Sequence, residues 1–151
     1  MLSLNLPSYP AKIVLREGKN LIWDEIRRRY VVLTPEEYVR QHFIHFLIEH
    51  KGYPKALLGN EIFLRLNGTQ KRCDTVLYKK DLSASMIIEY KAPHVKITQK
   101  VFDQILRYNM VLRVNYLIVS NGMEHYCCQI DYDRQAYVFL ADIPDYKELI
   151  E

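Results

Sequence analysis

The chain has 151 residues, 49% of them hydrophobic, which is enough to build one domain around a sizeable core. Its formal net charge of +3 is compatible with a nucleic-acid partner but does not require one. No apolar run approaches the roughly eighteen residues of a membrane span. The start, Met1-Leu2-Ser3-Leu4-Asn5, lacks the basic-then-apolar order of a secretory signal, so no membrane role is expected.

Three cysteines, Cys73, Cys127 and Cys128, form neither a C-x-x-C nor a Cys/His metal spacing. An odd count with an adjacent pair suits a reducing compartment and points to a cytoplasmic protein.

Pro7 and Pro10 oppose regular structure in the first eleven residues. Ile13-Val14-Leu15 and Leu21-Ile22-Trp23 predict two short strands around Glu17-Gly18-Lys19-Asn20, an N-terminal β-hairpin. Residues 27–33 continue as an extended segment. Its Arg27-Arg28-Arg29 run suits a solvated edge, with phosphate contact as the functional alternative.

Thr34-Pro35-Glu36-Glu37 has the grammar of a helix start. Thr34 is the N-cap, Pro35 the first helical residue, and Glu37 is placed to close a capping box. Val39, Phe43, Phe46 and Leu47 give an apolar stripe through about His50, and Gly52-Tyr53-Pro54 ends the helix. His42, His45 and His50 lack the partner spacing of a zinc site. Residues 55–66 predict one or two strands, broken around Gly59-Asn60.

The central feature is a second hairpin, residues 71–78 and 85–91, with the polar Lys79-Lys80-Asp81-Leu82-Ser83 between its arms. Side chains alternate faces along a strand, so Glu89 and Lys91 project to one side. A turn centred between Asp81 and Leu82 sets Asp74 opposite Glu89. Ile87 and Val76 share the parity of these charges, which therefore end an apolar face. Met86-Ile87-Ile88 has the character of a buried strand, where paired charges are costly unless they coordinate something.

A helix is predicted over about 98–112, buried through Val101, Ile105, Leu106 and Leu112, with Gln104, Arg107 and Tyr108 on one polar face. The apolar run 114–119 is a strand, completing a parallel β-α-β unit with a right-handed crossover. Asn121-Gly122 signals a tight turn. Residues 126–130 and 136–140 follow as antiparallel strands, and 143–151 as a tail with a helical turn.

Taken in order, Arg72-x-Asp74, Glu89-x-Lys91-Ala92-Pro93 and Gln104-x-x-Arg107-Tyr108 resemble the PD-(D/E)XK nuclease superfamily. The set is more closely similar to the N-terminal nuclease domain of type I restriction enzyme R subunits. Leu33-Thr34-Pro35-Glu36-Glu37-x-Val39-Arg40-Gln41 and Ser120-Asn121-Gly122 share that resemblance, which spans about 30–126. Cys73 stands where the superfamily's name-giving motif has Pro.

The resemblance implies an α/β (mixed α+β) restriction-endonuclease-like core, a central mixed β-sheet flanked by helices. The chain is then a single domain, 1–151, with an N-terminal extension over about 1–33 and a core over about 34–140. It implies a Mg²⁺-dependent DNA endonuclease, with Mn²⁺ a plausible substitute. Asp74, Glu89 and Lys91 are the implied catalytic residues. Metal ligands are Asp74, Glu89, the Tyr90 carbonyl and Glu37, a glutamate that its cap position also explains. Gln104, Tyr108 and Glu61 support the site, and Arg72 and Arg107 meet nucleic acid.

A catalytically silent module that binds nucleic acid or protein is the alternative, disfavoured by three convergent charges that folding does not need. The sequence holds no G-x-x-x-x-G-K-[ST], so no ATP-driven motor resides in it. The expected partner is DNA, together with other restriction-system subunits or a separate motor protein.

Overall fold

A computed structural model describes residues 3–150. Residues 3–12 are irregular, and Met1, Leu2 and Glu151 lie outside the described residues. The N-terminal part is a three-stranded antiparallel sheet of β1 (Ile13–Arg16), β2 (Lys19–Asp24) and β3 (Arg29–Val32). The expected hairpin is thus extended by a third strand. Its turn is only Glu17-Gly18, because Arg16 pairs with Lys19 and both turn residues have positive φ, 50° and 76°. That is the two-residue geometry that matches strand twist.

α1 (Pro35–Lys51) starts as its residues dictate: the Thr34 hydroxyl accepts from the Glu37 N–H at 3.1 Å, and Gly52 caps the far end at φ 74°. The capping box is only half formed. Glu37 gives its carboxylate to arginines and a glutamine instead of the Thr34 N–H.

The six-stranded sheet runs in chain order: β4 (Leu58–Leu66), β5 (Thr69–Tyr78), β6 (Ala84–Tyr90), β7 (Tyr116–Ser120), β8 (His125–Asp131) and β9 (Ala136–Phe139). Only β6 and β7 are parallel, and α2 (Gln99–Met110) connects them. The sheet is therefore mixed, with α1 packed on one face and α2 on the other. Val39, Phe43 and Leu47 of α1 meet Leu77, Met86 and Ile88. Phe102 and Leu106 of α2 meet Val76, Ile87 and Leu117. Each such buried side chain stabilises by about 1.5–3 kcal/mol relative to exposure. A short helix, α3 (Tyr146–Leu149), follows the sheet.

Several local expectations change. β4 is continuous through Gly59-Asn60; its irregular residue is Glu61, at φ 55°. A short 3-10 turn, Lys55–Leu57, precedes it. α2 buries Phe102, Leu106 and Asn109 where Val101 and Ile105 were expected to lead, because the helix presents its 102/106/109 stripe to the sheet. β7 begins at Tyr116, two residues later than the apolar run.

The register of the β5–β6 hairpin fixes the site. At the turn Tyr78 pairs with Ala84, so the connection centres on Asp81, not between Asp81 and Leu82. An unbroken ladder from that turn would set Asp74 against Ile88. The register shifts between Leu77 and Tyr78, with Leu77 pairing Met86, Val76 pairing Ile87 and Thr75 pairing Ile88. Ser85 is the extra residue of this bulge. Continued by one step, the shifted register sets Asp74 opposite Glu89.

Candidate active site

Asp74 and Glu89 end the α2-side face of the sheet, above Val76 and Ile87. The Tyr90 N–H donates to Asp74 Oδ2 at 2.9 Å, which ties the two strand ends together. Lys91 follows as β6 ends, its N–H donating to the Ser120 carbonyl at 2.8 Å. A cleft of about 740 Å³ opens here. Asp74, Glu89, Tyr90 and Lys91 line it together with Glu37, Glu61, Arg72, Gln104 and Tyr108. Arg107 is the one candidate not brought in; it lies exposed elsewhere on α2.

Glu89 is the most perturbed carboxyl of the site. Burial, and then the neighbouring Asp74 carboxylate, push its pKa well above the usual carboxylate range. Its Oε1 is buried with no hydrogen-bond partner, as is Oδ1 of Asn109. The Asn109 side chain lies near enough to Glu89 to oppose part of that rise, and it donates to the Ile105 carbonyl at 2.9 Å. Nothing in the sequence pattern marks Asn109, since its meeting with Glu89 depends on how α2 lies across the sheet.

The floor of the cleft is a chain of alternating charge. Asp24, fully buried, pairs with Arg27, whose Nη2 donates to Glu37 Oε1 at 2.9 Å. Arg40 donates to both Glu37 oxygens at 2.8 and 2.7 Å, to Glu61 at 3.0 Å, and through Nη1 to the Asp74 backbone carbonyl at 2.8 Å. Arg72 meets the other Glu61 oxygen at 3.3 Å. Burial opposes the charge on Glu37 and Asp24, yet their arginine and amide partners hold both carboxyls below the usual range. Asn60 joins this chain to the strand ends. It donates to Asp24 and accepts from Thr75 at 2.7 Å, and Thr75 accepts from the Tyr90 hydroxyl at 3.0 Å.

Arg27 was expected to be solvated and Arg40 carried no assigned role. Arg40 sits three residues after Glu37, a spacing at which helical side chains pair, and that signal was available in the sequence. Glu61 reaches both arginines from a left-handed backbone that a glutamate adopts at a cost. Lys71 rests over the Tyr108 ring at 4.1 Å at the cleft mouth.

The donor set suits a hard cation. Among the described residues no three His, Cys, Asp or Glu side chains are grouped to hold a metal. Asp74 and Glu89 form a pair, and Mg²⁺ commonly takes one or two protein carboxylates and completes its shell with water and phosphate. An orphaned, buried Glu89 oxygen beside a second carboxylate is the feature that such an ion would satisfy.

Residues 35–144 match the family model described as Type I restriction enzyme R protein N terminus. The matched stretch is most of the chain and holds every carboxylate of the cleft except Asp24. The chain belongs to that family. Among solved structures, this member of the R-protein N-terminus family resembles a fragment of a protein described as an HsdR subunit of a type I restriction enzyme from Vibrio vulnificus YJ016. The TM-score is 0.54 at 20% identity, over 78% of this chain and 25% of that one. At that identity the likeness shows a shared fold, and the chain spans a quarter of the neighbour's length. No curated protein matches it. The β1–β3 sheet lies outside the family stretch, yet Arg27, between β2 and β3, reaches Glu37.

Proposed function

We propose that this R-protein N-terminal domain is a metal-dependent endodeoxyribonuclease. The observation that supports it best is the meeting of Asp74 and Glu89 across β5 and β6, with Lys91 beside them in one cleft. Asp74 and Glu89 would hold the ion, with the Tyr90 carbonyl as a further ligand. Magnesium, or manganese in its place, would supply there positive charge and a water of lowered pKa, the chemistry that phosphodiester hydrolysis needs.

Lys91 orients the attacking water or stabilises charge on the phosphate oxygens as it develops. Both Glu37 oxygens are engaged, so its contribution is to fix Arg40, which in turn holds the Asp74 backbone. Gln104 and Tyr108 face the substrate, and Arg72 and Arg107 meet phosphates further out. DNA is the substrate. These 151 residues hold no P-loop, so translocation is supplied from outside this stretch, and other restriction-system subunits or a separate motor protein are the proposed partners.

Cleavage of supercoiled plasmid with Mg²⁺ or Mn²⁺ tests this, comparing wild type with Asp74→Ala and Lys91→Ala. Metal-dependent nicking should fall by about 100-fold or more in both folded variants and vanish with EDTA. Cleavage that persists in both variants would overturn the assignment. Where no protein cuts, calorimetry decides: Mg²⁺ binding lost in Asp74→Ala supports the site, and no binding by wild type defeats it.

A further inference from the structure

The β1–β3 sheet has one face turned to the body and one turned away. Ile22 and Asp24 of the inner face are fully buried. Alternation along the strands puts Val14, Arg16, Lys19, Leu21, Trp23, Tyr30 and Val32 on the other face. Lys12 joins them across from Trp23, whose N–H donates to the Lys12 carbonyl.

The outward face is basic and aromatic by construction. Trp23 and Tyr30 meet edge to face at 5.1 Å. Lys12 Nζ lies 5.9 Å from the Trp23 ring centroid, and the Arg16 guanidinium 4.8 Å from that of Tyr30. Stacking pre-orders these long side chains and leaves their N–H groups free to donate outward. Lys19 adds a third cation that touches neither ring. Among the described residues none of the three forms an ion pair; the strand residues of this face include no carboxylate, and Glu25 and Glu49 border only its Lys12–Trp23 end. Glu25, the acid that feels Lys12, is already bonded to Lys55.

Shielding two rings from water would need two cations at most and gives no reason for Lys19, the third, which forms no ion pair. The edge strand gives the direction: on β3, Val32 shares the outward face with Tyr30 and lines the cleft, so the basic face meets the cleft along that edge. We propose that this outward face is a second DNA-binding surface, gripping the phosphodiester backbone of the strand whose scissile bond lies in the cleft. The identity of its ligand rests on the nuclease reading above. Spaced cations interleaved with aromatic rings suit a nucleic-acid backbone, with base stacking adding to the charge attraction.

The test separates the surface from the cleft. A labelled DNA of about thirty nucleotides, single-stranded or duplex, is titrated in EDTA over about 50–200 mM salt, using wild type and the Lys12→Ala/Arg16→Ala/Lys19→Ala variant. Binding should weaken about tenfold or more in the variant, and the slope of log affinity against log salt should fall by about two to three. Trp23 is the only tryptophan, so its fluorescence should change as DNA binds. Hydrolysis of a small chromogenic phosphodiester, too short to leave the cleft, should be unchanged in the variant. Equal affinity and slope, or an unchanged Trp23 signal on binding, would overturn the proposal. Failure of wild type to bind either DNA overturns it too. Small-diester hydrolysis then reports separately on the nuclease reading.

Discussion

Glu37 stands between two arginines, and its carboxylate is fixed from three sides by Arg27, Arg40 and Gln41. Its pKa and that of Asp24 are lowered in the folded chain. Each therefore adds stability that is fully present above its unfolded value, near 4.5 for Glu37 and 3.8 for Asp24, and is lost as pH falls through the lower folded value. Urea midpoints should accordingly drop between about pH 5 and pH 3. A Glu37→Gln variant should start lower at pH 7, by about 1–3 kcal/mol, and show a shallower acid slope. An equal slope in both proteins would remove Glu37 from the account. At this scale the sequence revealed what lies within one hairpin: the placement of Asp74, Glu89 and Lys91 follows from parity along its paired strands. It did not reveal Arg27, Asn60 or Asn109, whose roles arise where separate elements meet.

Elements carry their own arithmetic. The α1 boundaries were legible because Thr34, Pro35 and Gly52 each satisfy a local requirement of a helix end. The Asp74–Glu89 alignment was also legible, but by a different route from the one the chain takes. A turn centred on Asp81 and a bulge at Ser85 replace a regular ladder, and the two one-residue offsets cancel. Deleting Ser85 should therefore preserve the facing carboxylates, since Met86 would follow Ala84 directly into its place opposite Leu77. Deleting Ile87 should not, because every later side chain of β6 changes face. Mg²⁺ calorimetry on the two deletions distinguishes them: binding retained in the first and lost in the second is expected. The kink at Glu61 was not legible, since it serves contacts with Arg40 and Arg72 and not the strand itself.

For the whole molecule, the sheet formed by residues 13–32 is built into the core. It contributes Ile22 and Asp24, both fully buried, and the Arg27 that neutralises Glu37. Truncation to residue 33 removes that partner and opens the apolar surface under Ile22. The shortened chain should lose at least about 3 kcal/mol, or its cooperative unfolding altogether, as read by calorimetry. An unchanged thermal midpoint would mean that the sheet is a separable appendage. The architecture could be anticipated from alternating patterns and turn residues; the docking of this sheet could not, because it depends on surfaces far apart in the chain.

The three cysteines have a use that follows from where they lie. Cys73, Cys127 and Cys128 are buried, and burial pushes each thiol up to about 12. Thiolate, the reactive form, is scarce at neutral pH and shielded from reagents. Cys127 packs in the layer beneath α1, and Cys73 and Cys128 in the layer beneath α2. Alkylation therefore waits on opening of the fold, and peptide mapping of the modified positions reports which layer opened. The native chain carries its own clock for each side of the sheet, and a cysteine placed on the surface would be the one thiol that takes a label at once.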